Sequence, residues 1–566
     1  MTIGTINSIL DQLEELKTRF DPSVIPAIGK TVARLARQKF NDAEALVRYH
    51  ELLLFLRAYP HNPRIVNLVD NELASFPRRV EALQASEVDL STIETPEISG
   101  IAGTSVTDTF TYPIVRWLVG QQQGRVTLDW DWFEDEYRLA ETWPRFMPLL
   151  EEDAAVEANV PYREWLSAAI GREKELPWLI KRFESLPGSE KRKAELYNSQ
   201  KLYVRWTPAY ESSRTGMRLA GPKIFYHRKP LIQRRDVSLP DELEKPPPAL
   251  QLLSPSRGEA ILDMAREAST VRYRELYGFT HGDPRRVFRA GLGRGVELLI
   301  AGVPPDWRLP LRAYHAAMIF KNGVAVGYFE GLSLFERMES GFNLYYTFRD
   351  GETAWLYART LNVFRHLAGV TAFVLDPYQI GYENEEGIES GAFWFYRKLG
   401  FRPTKPEIMK LVLKEEERMA SQPGYRTPAR TLRKLATGPM IFELDKSKTG
   451  DWDGFQVRNI GLKAQQRMAE MYGGDAGRMR REAVASVARV LNVSARRWRD
   501  SGLNDFAMAL ALIPDLNRWT NPEKQDLGRI IEAKGNGEES EYLKLMQQHS
   551  RLRRAIIQLG SPPPIV

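Results

Sequence analysis

The clearest absence in this sequence is cysteine, which does not occur among its 566 residues. Without cysteine there are no disulfides, thiolate zinc sites, iron–sulfur clusters or cysteine nucleophiles. Histidine is scarce, because the chain has only seven, and their spacing fits no metal-ligand pattern, so we predict no metal. The chain also lacks an unbroken run of about 20 apolar residues, the length that a membrane span requires. These absences predict a soluble protein with no membrane span.

The chain has little excess of either charge, since 79 basic residues face 73 acidic ones and the formal net charge is +6. A nucleic-acid-binding surface concentrates its cations on one face, so this small excess does not by itself predict such a partner. The best local candidate for phosphate contact is the arginine-rich stretch Arg478–Arg499. Most such arrays are solvated helix faces, and we adopt that interpretation, with nucleic acid as the alternative.

The composition is that of a globular protein, with 43% hydrophobic and 27% charged residues. At about 150 residues per domain, the length predicts three or four compact units. The chain begins with MTIGTINSILDQLEELKTRF, which has polar and acidic residues inside an apolar helical period. It lacks the basic start and apolar middle of an export signal, so we predict a cytoplasmic protein.

Shifts in pattern along the chain predict an α+β protein of several units. Residues 1–84 and 431–566 have the three- and four-residue apolar spacing of helices, so both regions are predicted to be mainly helical. Residues 108–237 mix helical and β-like runs. Residues 238–256 are rich in proline and have no helical period, which favours a linker. Residues 257–417 alternate strands and helices, as a mixed α/β domain does.

Within the mixed α/β region the order of elements can be followed closely. Two apolar runs flank Asn322 and Gly323, and an Asn-Gly pair in that setting predicts a hairpin. A predicted strand, Gly341–Phe348, precedes a helix and then the buried strand Val370–Pro377. A strand–helix–strand step of this length favours a right-handed parallel crossover.

The last part of this region is AFWFYRKLGF, from Ala392 to Phe401. It resembles the late helix of the GNAT superfamily of acyl-CoA-dependent N-acyltransferases, in which an alanine and a tyrosine precede a Lys-Leu-Gly-Phe ending. With the preceding order of elements, the resemblance covers Leu311 to Lys414. It implies a GNAT-like mixed α/β domain flanked by helical regions. The alternative is an ordinary amphipathic helix closed by a glycine.

In the GNAT family the strands on either side of the central helix splay apart, and the pantetheine arm of the acyl-CoA lies in the gap. Backbone amides of the turn before that helix hold the pyrophosphate at the positive end of the helix. The resemblance therefore implies acetyl-CoA or another acyl-CoA as co-substrate. The turn matches the family pattern only in part. The residues it places at the co-substrate are Phe348, Arg349, Gly351, Thr353 and Ala354.

Two acids in that turn, Asp350 and Glu352, stand where a pyrophosphate would approach. At a few ångströms each would cost about 1 kcal/mol even with the full dielectric of water. The sequence leaves two interpretations open. Either these side chains point away and simply favour the helix N-terminus, or the domain no longer binds an acyl-CoA in the usual way.

Acyl transfer to an amine needs an acid for the leaving thiolate and a base for the amine. By resemblance Tyr396 has the position of the family's acid, with a core aromatic as the alternative. Glu330, Glu336 and Glu339 lie near the central strand, where the family commonly carries a carboxylate, and Glu330 is the first choice. The sequence thus predicts Tyr396 and Glu330 as the catalytic pair.

The acceptor is predicted to be an amine-bearing small molecule or protein. Glutamates in the loop Asp376–Ser390 are typical either of a pocket for a cationic amine or of a solvated acidic loop. The predicted function is an N-acyltransferase. The alternative is a non-catalytic GNAT-like scaffold or binding protein that has lost CoA binding.

Overall fold

The computed structural model describes residues 3–86, 88–96, 98–221, 223–494 and 502–562. In these residues the chain forms a nine-stranded sheet and a three-stranded sheet, each surrounded by helices. The predicted α+β class is therefore confirmed. Within the described residues, no helix has the length and apolarity to cross a bilayer.

The N-terminal region is a group of helices around a buried central one, Ala43–Ala58. That helix begins at Asp42, whose carboxylate accepts hydrogen bonds from the amides of Glu44 and Ala45. It is buried on almost every side, which explains its unbroken apolar run. The helices are α1 Ile3–Leu16, α2 Ile25–Ala36, α3 Ala43–Ala58, α4 Pro63–Ala74, α5 Phe76–Gln84 and α6 Ser91–Glu94.

The small sheet has its own apolar core, in which Trp143 and Trp206 are fully buried. The indole of Trp143 donates to the side chain of Gln200 at 2.7 Å, so its polar group is satisfied. The strands lie in the order β1, β3, β2. The elements are β1 Val106–Asp108, α7 Tyr112–Gln121, β2 Val126–Leu128, α8 Leu150–Ala154, α9 Tyr162–Ile170, α10 Glu175–Ser185, α11 Glu190–Asn198 and β3 Val204–Trp206.

The large sheet follows, with helices on its faces. Its elements up to the central helix are α12 Leu239–Glu244, β4 Leu250–Leu252, α13 Pro255–Thr270, α14 Tyr277–Thr280, β5 Val287–Gly293, β6 Val296–Gly302, β7 Ala313–Lys321, β8 Val324–Leu334, β9 Arg337–Leu344 and α15 Thr353–Ala368. The remaining ones are β10 Ala372–Leu375, α16 Glu385–Glu389, α17 Ala392–Arg397, β11 Arg402–Pro403, α18 Pro406–Ser421, α19 Ala429–Leu435 and β12 Met440–Glu443. The strand order is β11, β12, β10, β9, β8, β7, β6, β5, β4.

The hairpin predicted at Asn322 and Gly323 is confirmed, since β7 and β8 pair antiparallel on either side of it. Both turn residues have positive φ, +50° and +83°, as a tight Asn-Gly hairpin turn requires. The parallel crossover is also confirmed, because β9 and β10 pair in parallel on either side of α15. The strand predicted at Gly341–Phe348 instead runs from Arg337 to Leu344, and a short 3-10 turn follows it.

Two strands lie where none was expected. β4 comes from the proline-rich residues 238–256 and pairs with β5 as the edge strand, so this segment is not the irregular linker predicted. β12 comes from residues 431–566 and lies between β10 and β11, antiparallel to both. Both strands are too short to show a period of their own, and their pairing partners specify them.

The C-terminal helices pack onto the large sheet and share its apolar core with the N-terminal helices. Lys534 and Glu539 form a buried ion pair at 2.7 Å, next to the backbone of β7. The helices are α20 Val457–Tyr472, α21 Ala476–Leu491, α22 Leu503–Leu510, α23 Asn521–Asn536, α24 Glu539–Gln548 and α25 Ser550–Gly560.

Candidate functional site

A cleft lies in the large sheet beside the end of β9, beyond its pairing with β10. The ladder between β9 and β10 runs from Arg337 and Ala372 to Glu339 and Val374, and β10 ends at Leu375. β9 continues to Leu344 and stays paired with β8 along its whole length. The cavity has a volume of about 540 Å³, and we call it the β9–β10 cleft.

Six parts of the chain line this cleft. They are residues 232–234, Arg274 after α13, Tyr328 of β8, the end of β9, the turn into α15, and the segment 378–396 after β10. Of the predicted site residues, those that line it are Arg349, Gly351, Thr353, Ala354 and Tyr396. Phe348 and Glu330 are not among the lining residues, and the side chain of Phe348 is buried in the main core. Most of the predicted site residues therefore line one cavity, and Phe348 packs in the core instead.

Tyr396 lies on α17, with its ring packed against Tyr357 at 5.4 Å and Phe401 at 5.8 Å between centroids. Burial raises the pKa of its phenol above the ordinary value, so the hydroxyl is protonated at neutral pH. Among the described residues the hydroxyl has no hydrogen-bond partner, and the side chain borders the cleft. The group therefore has a proton to donate and no internal acceptor for it.

Glu330 lies on β8, opposite Gly341 of β9. It is two residues from Tyr328, so both side chains share one face of the sheet, and Tyr328 lines the cleft. The hydroxyl of Tyr314 donates to the Glu330 carboxylate. Burial raises the pKa of Glu330 above that of an ordinary glutamate, and the Tyr314 hydrogen bond opposes that rise. The carboxylate is thus more basic than one in water.

Gly341 lies between Glu330 and Gln379, a residue of the cleft wall. A Cβ at this position would lie 3.9 Å from the Glu330 Cβ and 3.8 Å from the side-chain nitrogen of Gln379, which lines the cleft. Since glycine has no side chain, the space between those two groups stays open. The other two candidate bases are engaged elsewhere, because Glu336 binds Arg553 and Trp452, and Glu339 lies 3.6 Å from two arginines.

The two acids of the turn before α15 point in different directions. Glu352 is fully buried on the side away from the cleft, where Arg294 binds its carboxylate and Lys321 lies 3.5 Å away. Asp350 borders the cleft, and it forms an ion pair with Lys17 of α1 at 2.8 Å. Glu352 therefore fits the first interpretation left open by the sequence, in which the acid points away from the place of a pyrophosphate.

The N-terminal helices fix the back of this turn. The Tyr59 hydroxyl, just after α3, lies so close to Gly351 that a Cβ there would overlap it. Glu51 of α3 is buried and accepts hydrogen bonds from Thr347 and from Arg214. These charge-assisted bonds hold the pKa of Glu51 at about 2, against the effect of burial.

The charge behind the start of α15 is positive. Arg294 and Lys321 face the single carboxylate of Glu352. Burial lowers the pKa of Lys321 to about 7, while Glu352 opposes that shift. The first amides of α15, at Thr353 and Ala354, have no carbonyl acceptors within the helix. The helix start therefore borders the cleft, with Arg294 charged behind it and Lys321 only partly charged at neutral pH, which suits an anion.

Two of the four glutamates in the acidic loop after β10 form ion pairs. Glu386 binds Arg349 across the cleft, and Glu385 binds Arg433 at 2.8 Å. Asn384 caps α16 by accepting from the amide of Gly387. The loop is therefore closer to the solvated-surface alternative than to a pocket for a cationic amine.

The sequence did not identify Arg274 and Tyr328, which line the other side of the cleft. Arg274 lies beyond α13, and only the folded sheet brings it next to β8. In the arginine-rich stretch, Arg478 pairs with Glu482 at 2.8 Å on an exposed helix face, and Arg496, Arg497 and Arg499 lie outside the described residues. No family model, curated protein or solved structure matches this chain.

Proposed function

We propose that the protein is an acyl-CoA-dependent N-acyltransferase, with its donor in the β9–β10 cleft and its acceptor on the face of Glu330. The observation that carries this proposal is a cavity beside the end of β9, beyond its short parallel ladder with β10, the strand that α15 joins to it. The amide-bearing start of α15 and the hydroxyl of Tyr396 border the same cavity. This is the arrangement that the GNAT resemblance of Leu311 to Lys414 implies.

The turn into α15 has the features that an acyl-CoA pyrophosphate needs. The amides of Thr353 and Ala354 supply donors, and Ala354 adds little bulk beside them. Arg349 stands in front of the turn, and Arg294 and Lys321 stand behind it. When bound, the donor supplies an acyl group activated as a thioester.

Tyr396 and Glu330 supply the acid and the base. The amine nitrogen forms a bond to the acyl carbon as the carbon–sulfur bond breaks. Glu330, directly or through a water, receives a proton from the amine. The hydroxyl of Tyr396 gives a proton to the leaving thiolate. The products are an amide and a free thiol, and proton exchange with solvent restores both side chains.

The second candidate function is a GNAT-like scaffold that does not bind acyl-CoA. The ion pair between Arg349 and Glu386 favours it, because this pair spans the cleft and occupies the arginine that would face a phosphate. Asp350 adds a carboxylate at the same edge. Binding by an acyl-CoA requires the Arg349–Glu386 pair to open, which is inexpensive for two partly exposed side chains.

Titration calorimetry with acetyl-CoA, butyryl-CoA and octanoyl-CoA separates the two candidates. We expect at least one of them to bind, and Arg349→Met to weaken that binding. If none of the three acyl-CoAs binds at millimolar concentration, the enzyme proposal is wrong and the scaffold function is the one that remains.

Turnover is followed as thiol release with a panel of amines. Tyr396→Phe should slow it by about 10²- to 10⁴-fold with little change in donor affinity. Tyr137→Phe, an exposed residue outside the cleft, is the matched control and should have no effect. Unchanged turnover in Tyr396→Phe would remove this residue from the chemistry.

A further inference from the structure

Arg274 is held in place by an unusual end to α13. Tyr273 has a φ of +53°, a left-handed conformation that a tyrosine seldom adopts. The amide of Arg274 donates back to the carbonyl of Ser269 at 3.1 Å, which closes the turn. The Arg274 side chain then runs along the wall of the cleft beside Tyr328. The backbone of this turn thus aims a guanidinium at the cleft.

Arg274 lines the cleft, and a second arginine, Arg272, lies two residues earlier in the chain without lining it. Arg272 is buried, with its guanidinium 4.0 Å from the centroid of the Tyr345 ring, and its Nη1 donates to the carbonyl of Ala268. Burial lowers the pKa of Arg272 only to about 10, so it stays charged at neutral pH. Within the described residues, neither Arg272 nor Arg274 has a carboxylate within 4.0 Å, and the Arg272 Nε has no hydrogen-bond partner.

The spacing between Arg274 and the polar groups around it suits a ligand that carries both a carboxylate and an amine. Tyr328, beside Arg274, and Glu330 are two residues apart on β8, so about 7 Å separates their Cα atoms. Asn343 and Gln379 add hydrogen-bonding groups to the same part of the cleft. A guanidinium binds a carboxylate in a bidentate manner at about 2.8 Å. An amine on the carbon next to that carboxylate would then lie on the Glu330 side.

We propose that the acceptor is a small amine that carries a carboxylate, of the amino-acid class, with the carboxylate bound by Arg274 and the amine directed to Glu330. This inference rests on the proposed function, since it names the substrate class of the same site. A polyamine or a lysine-rich protein tail fits less well, because it would bring further cations next to Arg274, which forms no ion pair within the described residues.

The test compares amines that differ only by the carboxylate. The pairs are L-phenylalanine with phenethylamine, L-lysine with cadaverine and glycine with methylamine. Calorimetry without any donor measures binding, and thiol release with acetyl-CoA measures turnover. We expect the carboxylate-bearing member of at least one pair to bind and react about 10- to 100-fold better than its partner.

Arg274→Met should abolish that preference, so that the two members of each pair bind and react about equally well. Arg274→Lys should restore part of the preference, since it keeps the charge and loses the bidentate geometry. Arg145→Met, an exposed arginine next to the small sheet, is the control and should leave the preference intact.

The outcomes that overturn this inference differ from those that overturn the proposed function. If acetyl-CoA binds and the amines without a carboxylate are equal or better, the acceptor class is wrong and the enzyme proposal stands. If phosphoethanolamine is favoured over ethanolamine, and no carboxylate pair shows a preference, the anion is a phosphate. If no acyl-CoA binds, the enzyme proposal fails, and donor-free calorimetry still decides whether Arg274 holds a carboxylate.

Discussion

The two sides of the turn between β9 and α15 are built differently. On the back, against the N-terminal helices, Glu352 and Lys321 form a buried ion pair, and the buried Glu51 binds Thr347 and Arg214. On the front, Arg349 and Asp350 are partly exposed and make single ion pairs. The turn is therefore held in shape from behind, and its cleft side is free to meet a ligand.

Because of this difference, substitutions within the one short turn between β9 and α15 should affect either stability or ligand binding. Removing one partner of a buried ion pair is costly, because the other charge stays buried without compensation. Removing one partner of an exposed pair costs little, because water replaces it. Substitutions on the back should therefore lower the free energy of unfolding, and substitutions on the front should change ligand binding.

The strongest test is Glu352→Gln, which leaves Arg294 and Lys321 without their carboxylate. We expect a loss of about 3–5 kcal/mol in the free energy of unfolding, measured in urea. Asp350→Asn, two residues away, is the matched control and should cost about 1 kcal/mol or less. Equal losses in the two variants would contradict the contrast between back and front.

Glu51, on the back of the turn, should make the free energy of unfolding depend on pH. Its pKa is about 2 in the folded protein and close to the usual glutamate value when unfolded. A depressed carboxyl pKa contributes stability that is complete above the unfolded value and is lost as pH falls towards the folded one. That contribution is about 3 kcal/mol. Urea unfolding of the wild type and Glu51→Gln should therefore differ most near neutral pH and converge towards pH 2. A constant difference would mean that the Glu51 charge is not the cause.

Gly351→Ala tests the contact with Tyr59. The new methyl group overlaps the Tyr59 hydroxyl, so we expect a loss of about 1–3 kcal/mol, seen as a lower melting temperature. In a Tyr59→Leu background the added cost of Gly351→Ala should shrink. If it stays the same, the clash lies elsewhere.

The smallest expected effect on stability is that of Glu386→Gln on the front. It removes an exposed ion pair with Arg349 and should change the free energy of unfolding by about 1 kcal/mol or less. Acetyl-CoA should bind more tightly to this variant, because Arg349 is released. Weaker binding, measured by the same calorimetry, would show that Glu386 helps to hold the donor.

Local patterns in the sequence were sufficient for the elements next to the cleft. The Asn322-Gly323 pair specified the hairpin, and the apolar periods around residues 353–375 specified the crossover. They were not sufficient for β4 and β12, whose pairing depends on partners far away in the chain. The same distinction between local and distant contacts applies to the site. Tyr396 was predicted because it belongs to a local motif. Arg274 was missed, and so was the partnership of Glu352 with Arg294, 58 residues earlier.

Because Tyr59 contacts Gly351, a fragment of this protein that keeps the cleft intact must include the N-terminal helices. The Asn322 side chain donates to the carbonyl of Ala58 at 2.8 Å, and the amide of His227 donates to the carbonyl of Pro60 at 2.9 Å, so this corner of the N-terminal helices is bound from several sides. A fragment cut to residues 257–417 would expose Glu352 and the back of the turn to water. Excision at the boundaries predicted from the pattern of strands and helices would thus remove the support of the cleft along with the flanking helices.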